Sequence, residues 1–230
     1  MRIVTLEEHI SFPEMTELIP KEALGNFGQS PMMQKIAPKL ADITNERLTS
    51  MDDTGITMQV LSVDGMGANL LSAEAGPAFA TRYNNLIAKK IGAHPDRFAA
   101  FAHLPMTAPL AAADELERAV EEHGFRGAMI RGLTNDQFLD HPKFAPIFER
   151  ATKLVVPVYL HPGLPPKGVE LDAFGREIDP SGLGEMLTRL RDDYGNPHVL
   201  VTENGCSDPL SMKASAVPND STHPVKATVS

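Results

Sequence analysis

The sequence predicts an α/β fold: a β/α barrel of the TIM type, left partial at about six parallel strands. Three observations predict it. Short, nearly continuous apolar runs recur along the chain, as in parallel strands covered on both faces. Segments with apolar residues at helical spacing separate them, which implies right-handed β-α-β crossovers. Polar residues able to do chemistry also fall at or just past the ends of the runs: His9, Asp64, His103, Arg131, His161 and Glu203. Sites in such folds gather at the C-terminal ends of the strands.

In chain order, the first run is Ile3–Leu6, followed at once by the polar stretch of LEEHIS. Residues 10 to 45 read as a long insertion rich in Pro, Gly and Met, a loop over the site or a lid. A helix from Glu46 to Asp53 puts Leu48 and Met51 on one face and ends at Gly55, before the strand Met58–Val63. The next helix, Ala78 to Ile91, sets Phe79, Leu86, Ala88 and Ile91 among polar residues and stops at Gly92. Phe98–His103 is the third strand. The helix Ala111 to His123 follows, with Leu116, Ala119 and Val120 at helical spacing and Gly124 as its stop. The strand Gly127–Ile130, the helix Pro142 to Leu154 and the strand Val155–His161 continue the alternation. A last pair comprises the helix Gly182 to Tyr194, capped by Ser181 and stopped by Gly195, and the strand His198–Thr202. Residues 1–209 are expected to form one barrel-like domain. From Leu210 onward the chain has few large apolar residues and no periodicity, which predicts a mobile tail over 210–230.

With 230 residues the chain can bury one good core, slightly short of the roughly 250 typical of a complete eight-stranded barrel. An open barrel exposes strand edges and apolar helix faces. A homo-oligomer is therefore expected, or cover from the insertion and the tail. The formal charge of −9 and a pI near 5.3 argue against nucleic acid or an anionic membrane surface as partner. The single cysteine, Cys206, excludes an internal disulfide and a multi-cysteine zinc site, and without a neighbouring base it is not expected to act as a catalytic thiol. No apolar run approaches about 20 residues and no basic-then-apolar leader opens the chain, so a cytoplasmic protein is expected.

Within a strand, residues two apart share a face, so Glu7 and His9 project together and Glu8 points away. A carboxylate beside an imidazole is a common start to a divalent-metal site. His161, closing VVPVYLHPG, either bonds to backbone or completes a two-His, one-carboxylate set with positions open to water or substrate. His103 and Arg131 either contact an anionic substrate or satisfy loop carbonyls and nearby acids. Asp64 either accepts a hydrogen bond from a metal-ligand His or caps the following turn.

LEEH, ERLTSMDDTGITMQVLSV, HPDRFAAFAHLPM, EEHGFRGAMIRG and VPVYLHPG, in that order, resemble the amidohydrolase-2 branch of the amidohydrolase superfamily. The nearest likeness is to nonoxidative aromatic-acid decarboxylases of the γ-resorcylate, dihydroxybenzoate and carboxyvanillate type. It covers residues 1 to about 165, through five β-α units. The resemblance implies that Glu7, His9 and His161 hold a divalent metal, Zn²⁺ or Mn²⁺. It also implies a small-molecule aromatic or related carboxylic acid as substrate. In the family the metal grips the carboxylate and a neighbouring phenolic oxygen while the ring carbon is protonated and CO₂ leaves, or it activates water, so a hydrolase stays open beside a decarboxylase. The family pattern continues with a His in a motif like GHMGE and a later Asp. Neither stands in this sequence, which implies an impaired activity.

Residues 166–209 carry a second resemblance. DPSGL, RLRDDYGNP and VLVTENG are similar to the late part of family 1 glycosidases (β-glucosidases), in which the Glu of TENG, Glu203 here, attacks the sugar. The chain then reads as a chimera with a seam near Leu164 to Gly168, and an aryl or alkyl β-glucoside is the alternative substrate. Retaining hydrolysis needs two carboxyl groups about 5–5.5 Å apart. The partner motif NEP has only Thr44–Asn45–Glu46 as an echo, with Arg47 in place of Pro and a helix starting there. No Trp and three Tyr leave few aromatic platforms for a sugar. The metal-dependent decarboxylase or hydrolase is the leading expectation, the glycosidase the second, and a non-catalytic scaffold the third.

Overall fold

Parallel pairing carries the fold in the computed structural model, which describes residues 2–24, 31–63 and 67–161, without the side chains of Glu7 and residues 31–33. All of them lie in one compact unit, Met1–Gly175. Strands β1 (Val4–Ile10), β2 (Met58–Val63) and β3 (Phe98–Ala100) form one parallel sheet in that order. Strands β4 (Ala102–His103), β5 (Ala128–Arg131) and β6 (Val158–His161) form a second. The expected helix Gly182 to Tyr194, the strand His198–Thr202, the seam and the tail lie outside the described residues.

Three expectations about elements are corrected. Phe98–His103, read as one strand, divides at Phe101. Its first half pairs with β2 and its second with β5, while Phe101 N donates to Leu61 O at 2.9 Å and Ala102 N to Gly127 O at 2.8 Å. The run thus changes partner midway, which a flat six-strand ladder would not require. Strand β1, expected to end at Leu6, continues through LEEH to Ile10, because its apolar anchors Ile10 and Phe12 lie beyond the polar stretch and are fully buried. Between the pairs Thr5↔Gln59 and Glu8↔Leu61, β1 advances three residues against two of β2. That one-residue excess is a β-bulge at Leu6–Glu7. Strand β6 starts at Val158 rather than Val155, since Val155 takes a left-handed conformation (φ 56°) and closes the preceding helix.

The insertion is corrected too. It holds helices α1 (Pro13–Thr16), α2 (Lys21–Leu24) and α3 (Pro31–Ala41), and it buries Phe12, Met15, Ile19 and Ile43 in the main core. Ser11 N donates to Leu40 O at 3.1 Å, which brings its two ends together. Helices α4 (Glu46–Thr54), α5 (Gly76–Ile91), α6 (Pro109–His123) and α7 (Ala145–Leu154) follow. Gly55 and Gly124 end α4 and α6 at φ 73° and 68°, as the sequence predicts. Helix α5 buries Phe79, Tyr83, Ile87 and Ile91, a stripe at helical period.

The middle strands are covered on both faces, whereas Leu160 on β6 is exposed. Leu61, Ala100, Ala128 and Ile130 face the helices in the main core. Val60, Ala99, Phe101 and Met129 face the other way in a smaller cluster, where Phe101 stacks on Tyr159 at 5.8 Å. Among the described residues no helix is long and apolar enough to cross a membrane.

The end of β4 is pinned from α5. Asn84 Oδ1 accepts from His103 N at 2.9 Å, and Asn84 Nδ2 donates to His103 O at 2.9 Å. Asn84 Nδ2 also donates to Glu115 at 2.7 Å, whose carboxylate further accepts from Thr81 and twice from Arg118. Glu115 is only 6% exposed. Burial pushes its carboxyl up, but the bonds from Arg118, Asn84 and Thr81 outweigh that and hold it below the usual range. The His103 ring packs against Tyr83 and Phe79, and its Nε2 accepts from Ala68 N at 2.8 Å. A Cβ on Gly67 would lie 2.1 Å from that nitrogen, so glycine is needed there for room.

Two outcomes follow from this packing. Gly127 sits at φ 138° with its would-be Cβ 2.1 Å from Pro157 O, so Gly127→Ala is expected to cost about 2–3 kcal/mol or more in urea unfolding. A midpoint matching wild type would show that β5 and the Pro157 turn do not approach this closely. Burial pushes the His103 imidazole down to about 4, with Glu115 opposing the shift. Its stabilising contribution is therefore complete above the ordinary value near 6.5 and is lost as pH falls from there toward 4. Between pH 7.5 and 5 the wild type should lose about 2 kcal/mol that His103→Gln does not. Parallel pH profiles for the two proteins would count against a buried neutral ring.

Candidate metal centre

The polar stretch of β1 and the end of β6 meet. His9 Nε2 and His161 Nε2 lie 3.2 Å apart, with ring centroids 5.0 Å apart and planes inclined at 59°. Both residues are at the C-terminal ends of their strands, where side chains of adjoining β-α units converge. Two imidazoles each about 2.0–2.1 Å from one ion have nitrogens roughly 3.0–3.4 Å apart. The pair therefore fits a shared divalent cation.

A third partner is the next question. Among the described residues no group of three His, Cys, Asp or Glu side chains gathers as a metal site. Glu7 lies on β1 two residues before His9, within the bulge, and its side chain is outside the described atoms. Asp64 and Glu203 also lie outside the described residues, as does Cys206.

Two residues that the sequence reading passed over support the pair. Ser62 on β2 is the register partner of His9, and its Oγ is 3.1 Å from His9 Nδ1. It is buried. When Nδ1 carries the proton and donates it to Ser62 Oγ, Nε2 presents its lone pair toward His161. The only signal for Ser62 in the sequence is a hydroxyl inside the apolar run MQVLSV. The other is Arg47, near the start of α4. Its Nη2 donates to His9 O at 2.8 Å, its Nη1 to Gln59 Oε1 at 3.1 Å and its Nε to Asp42 O at 2.9 Å. Burial lowers the Arg47 pKa while Glu8, 3.7 Å away, and Asp42 raise it, and the guanidinium stays charged. Asp42 in turn accepts from the backbone N–H groups of Thr44, Asn45 and Arg47.

The remaining candidates are placed as follows. Arg131 ends β5 directly beside His161 in the register, and Gly132 N donates to His161 O at 3.0 Å. His103 ends β4, and its Nε2 accepts a hydrogen bond from the Ala68 amide. Thr44–Asn45–Glu46, the echo of a glycosidase motif, forms the turn into α4 around Asp42, so its local role is to start a helix.

Comparison with known proteins identifies the family, and one relative holds a divalent metal. A γ-resorcylate decarboxylase from Rhizobium sp. (strain MTP-10005) is 34% identical over 228 residues, covering 91% of this chain and 68% of that protein. The solved structure of a 2,6-dihydroxybenzoate decarboxylase complexed with 2,6-dihydroxybenzoate is 32% identical with a TM-score of 0.66, over 76% of this chain and 55% of that one. A dihydroxybenzoic acid decarboxylase from Polaromonas sp. JS666, solved with bound manganese and the inhibitor 2-nitroresorcinol, is 31% identical at the same TM-score, over 76% and 54%. The chain thus spans about two thirds of the length of the Rhizobium enzyme and about half of the two solved chains. The glycosidase likeness is short: β-glucosidase A from Enterobacter agglomerans is 41% identical over 68 residues, 30% of this chain and 14% of that protein. The amidohydrolase family profile, by contrast, matches residues 19–198 and runs straight across the seam expected at Leu164 to Gly168. That leaves the two-family division with only the short match behind it. On this coverage, the chain belongs to the amidohydrolase family.

Proposed function

We propose that this protein is a metal-dependent decarboxylase acting on an aromatic carboxylic acid that carries a hydroxyl next to its carboxylate. The observation that carries the reading is the convergence of His9 and His161 Nε2 at 3.2 Å on strand ends. The manganese and the dihydroxybenzoate bound in the two solved relatives support it. His9, His161 and Glu7 would hold the ion. Mn²⁺ is favoured over Zn²⁺ because a relative holds manganese. When bound, a divalent ion supplies positive charge to a substrate carboxylate and an adjacent phenolic oxygen.

The chain's own residues prepare that site. Ser62 accepts a hydrogen bond from His9 Nδ1–H and so favours the tautomer whose Nε2 carries no proton. Arg131, beside His161 at the end of β5, is assigned to the substrate's carboxylate as a fixed cation. His103 holds the loop at Gly67–Ala68 rather than touching substrate. In the reaction the bond from ring carbon to carboxylate breaks, CO₂ leaves, and a proton takes the electron pair left on the ring. A second reading, β-glucoside hydrolysis through Glu203, rests on the likeness to β-glucosidase A. It requires aryl-glucoside turnover that Glu203→Gln abolishes.

Metal content and CO₂ release from 2,6-dihydroxybenzoate test the leading reading. Wild type is expected to bind about one Mn²⁺ per chain, and His9→Ala and His161→Ala to lose it along with turnover. Unchanged metal stoichiometry in both variants sinks the reading. Ser62→Ala should retain the fold and bind Mn²⁺ about 10- to 100-fold more weakly. Wild-type affinity in that variant would show that another group orients His9.

A further inference from the structure

We propose that Arg47 is a positioning residue for the strand that presents His9, and that its guanidinium is required for tight binding of a divalent ion there. The proposal rests on the metal-dependent reading above. The bulge at Leu6–Glu7 interrupts the pairing of β1 with β2 just before the stretch that carries His9. Beyond it, the described register holds only Glu8, Ile10 and His9 itself against β2. Arg47 adds a fixed point from outside the ladder to that short stretch. One planar group reaches the carbonyl of His9 on β1, the side chain of Gln59 on β2, and the carbonyl of Asp42 at the end of the insertion. Nη2 also lies 3.4 Å from Lys39 O on α3, and Nη1 faces the Glu8 carboxylate.

The chemistry favours arginine specifically. Its side chain is 12% exposed, so each N–H that lacks a protein acceptor would be left without one. A guanidinium directs several donors in one plane at fixed angles, whereas a lysine ammonium is a single point charge and cannot span three separate acceptors. Replacing the fork therefore leaves the His9 carbonyl free to shift, and the imidazole moves with its backbone. Ligand sites are sensitive to displacements of this kind, because the donors must be held to within about half an ångström.

Arg47→Lys keeps the charge and removes the fork. The control is Arg150→Lys, at a residue that performs a similar clamp elsewhere: Arg150 joins α7 to Ala113 O, Asp114 and Glu117 on α6. Mn²⁺ is titrated into chelator-stripped protein comprising residues 1–230, with unfolding measured in parallel. Arg47→Lys is expected to bind Mn²⁺ about 10-fold more weakly than wild type, and Arg150→Lys within twofold of it, at comparable losses of stability. Mn²⁺ affinity within twofold of wild type in Arg47→Lys overturns the proposal, and so does an equal loss in Arg150→Lys. If wild type itself binds neither Mn²⁺ nor Zn²⁺, the decarboxylase reading and the metal half of this proposal both fail. The strand-holding half is then decided by hydrogen exchange at the His9, Ile10 and Ser11 amides. Exchange about 10-fold faster in Arg47→Lys than in Arg150→Lys supports it, and equal rates overturn it.

Discussion

The change of partner at Phe101 is the constraint from which the rest of the arrangement follows. A single extended run bonds to β2 through its first half and to β5 through its second. The sheet therefore turns at this point, and strands on either side keep chain order while their ends come round toward one another. The turn needs a firm edge. Asn84 provides it by bonding both backbone groups of His103, so the short β4 ends at a defined place. Without a turned sheet, the first strand and the last described one would have no reason to meet, and His9 would not face His161.

The firm edge is itself built on a buried charge. Glu115 sits almost out of solvent, a costly position for a carboxylate unless its lone pairs are used. Here Thr81, Asn84 and Arg118 use them. The arrangement couples α5, α6 and the end of β4 through a single group, and a fully satisfied polar cluster of that kind specifies one geometry in a way that interchangeable aliphatic contacts do not. Arg47 plays the complementary part at β1, tying α4, β1, β2 and the end of the insertion together with one cation. Both clamps spend a buried ionic group on position, and both stand behind a strand end.

Much of this was legible in the sequence where a local rule decides structure. Gly55 and Gly124 mark helix ends because a left-handed residue is needed there, and Met58–Val63 is a strand because a short, mostly apolar run has to be covered on both sides. His9 and His161 were visible as candidates because each stands at the polar end of such a run. What stayed hidden depends on partners distant in the chain. The division at Phe101 is set by which strand lies alongside, and no residue in FAAFAH announces it. Val155 reads as strand by its branching and serves as a helix end because the tertiary structure imposes a left-handed turn. The insertion reads as loop because its apolar residues are irregularly spaced among prolines and glycines, although Phe12 and Met15 are as buried as any strand residue. Ser62 and Arg47 look ordinary in sequence, a hydroxyl in a strand and a cation in the first turn of a helix. Only the register and the fold reveal that they address the same histidine.

The separation between the two histidines has a kinetic meaning. They are 152 residues apart in the chain, so almost the whole described polypeptide lies between them. Contacts of such long range form late, since the entropy of closing the intervening loop is spent before they return anything. No partly assembled state that lacks a docked β6 contains the pair. On the proposed function, the site is in effect a completion signal for folding: ion-binding capacity would count molecules whose last described strand is in place. An ion held there closes the longest loop of the described chain, and by mass action it draws the population toward that finished state.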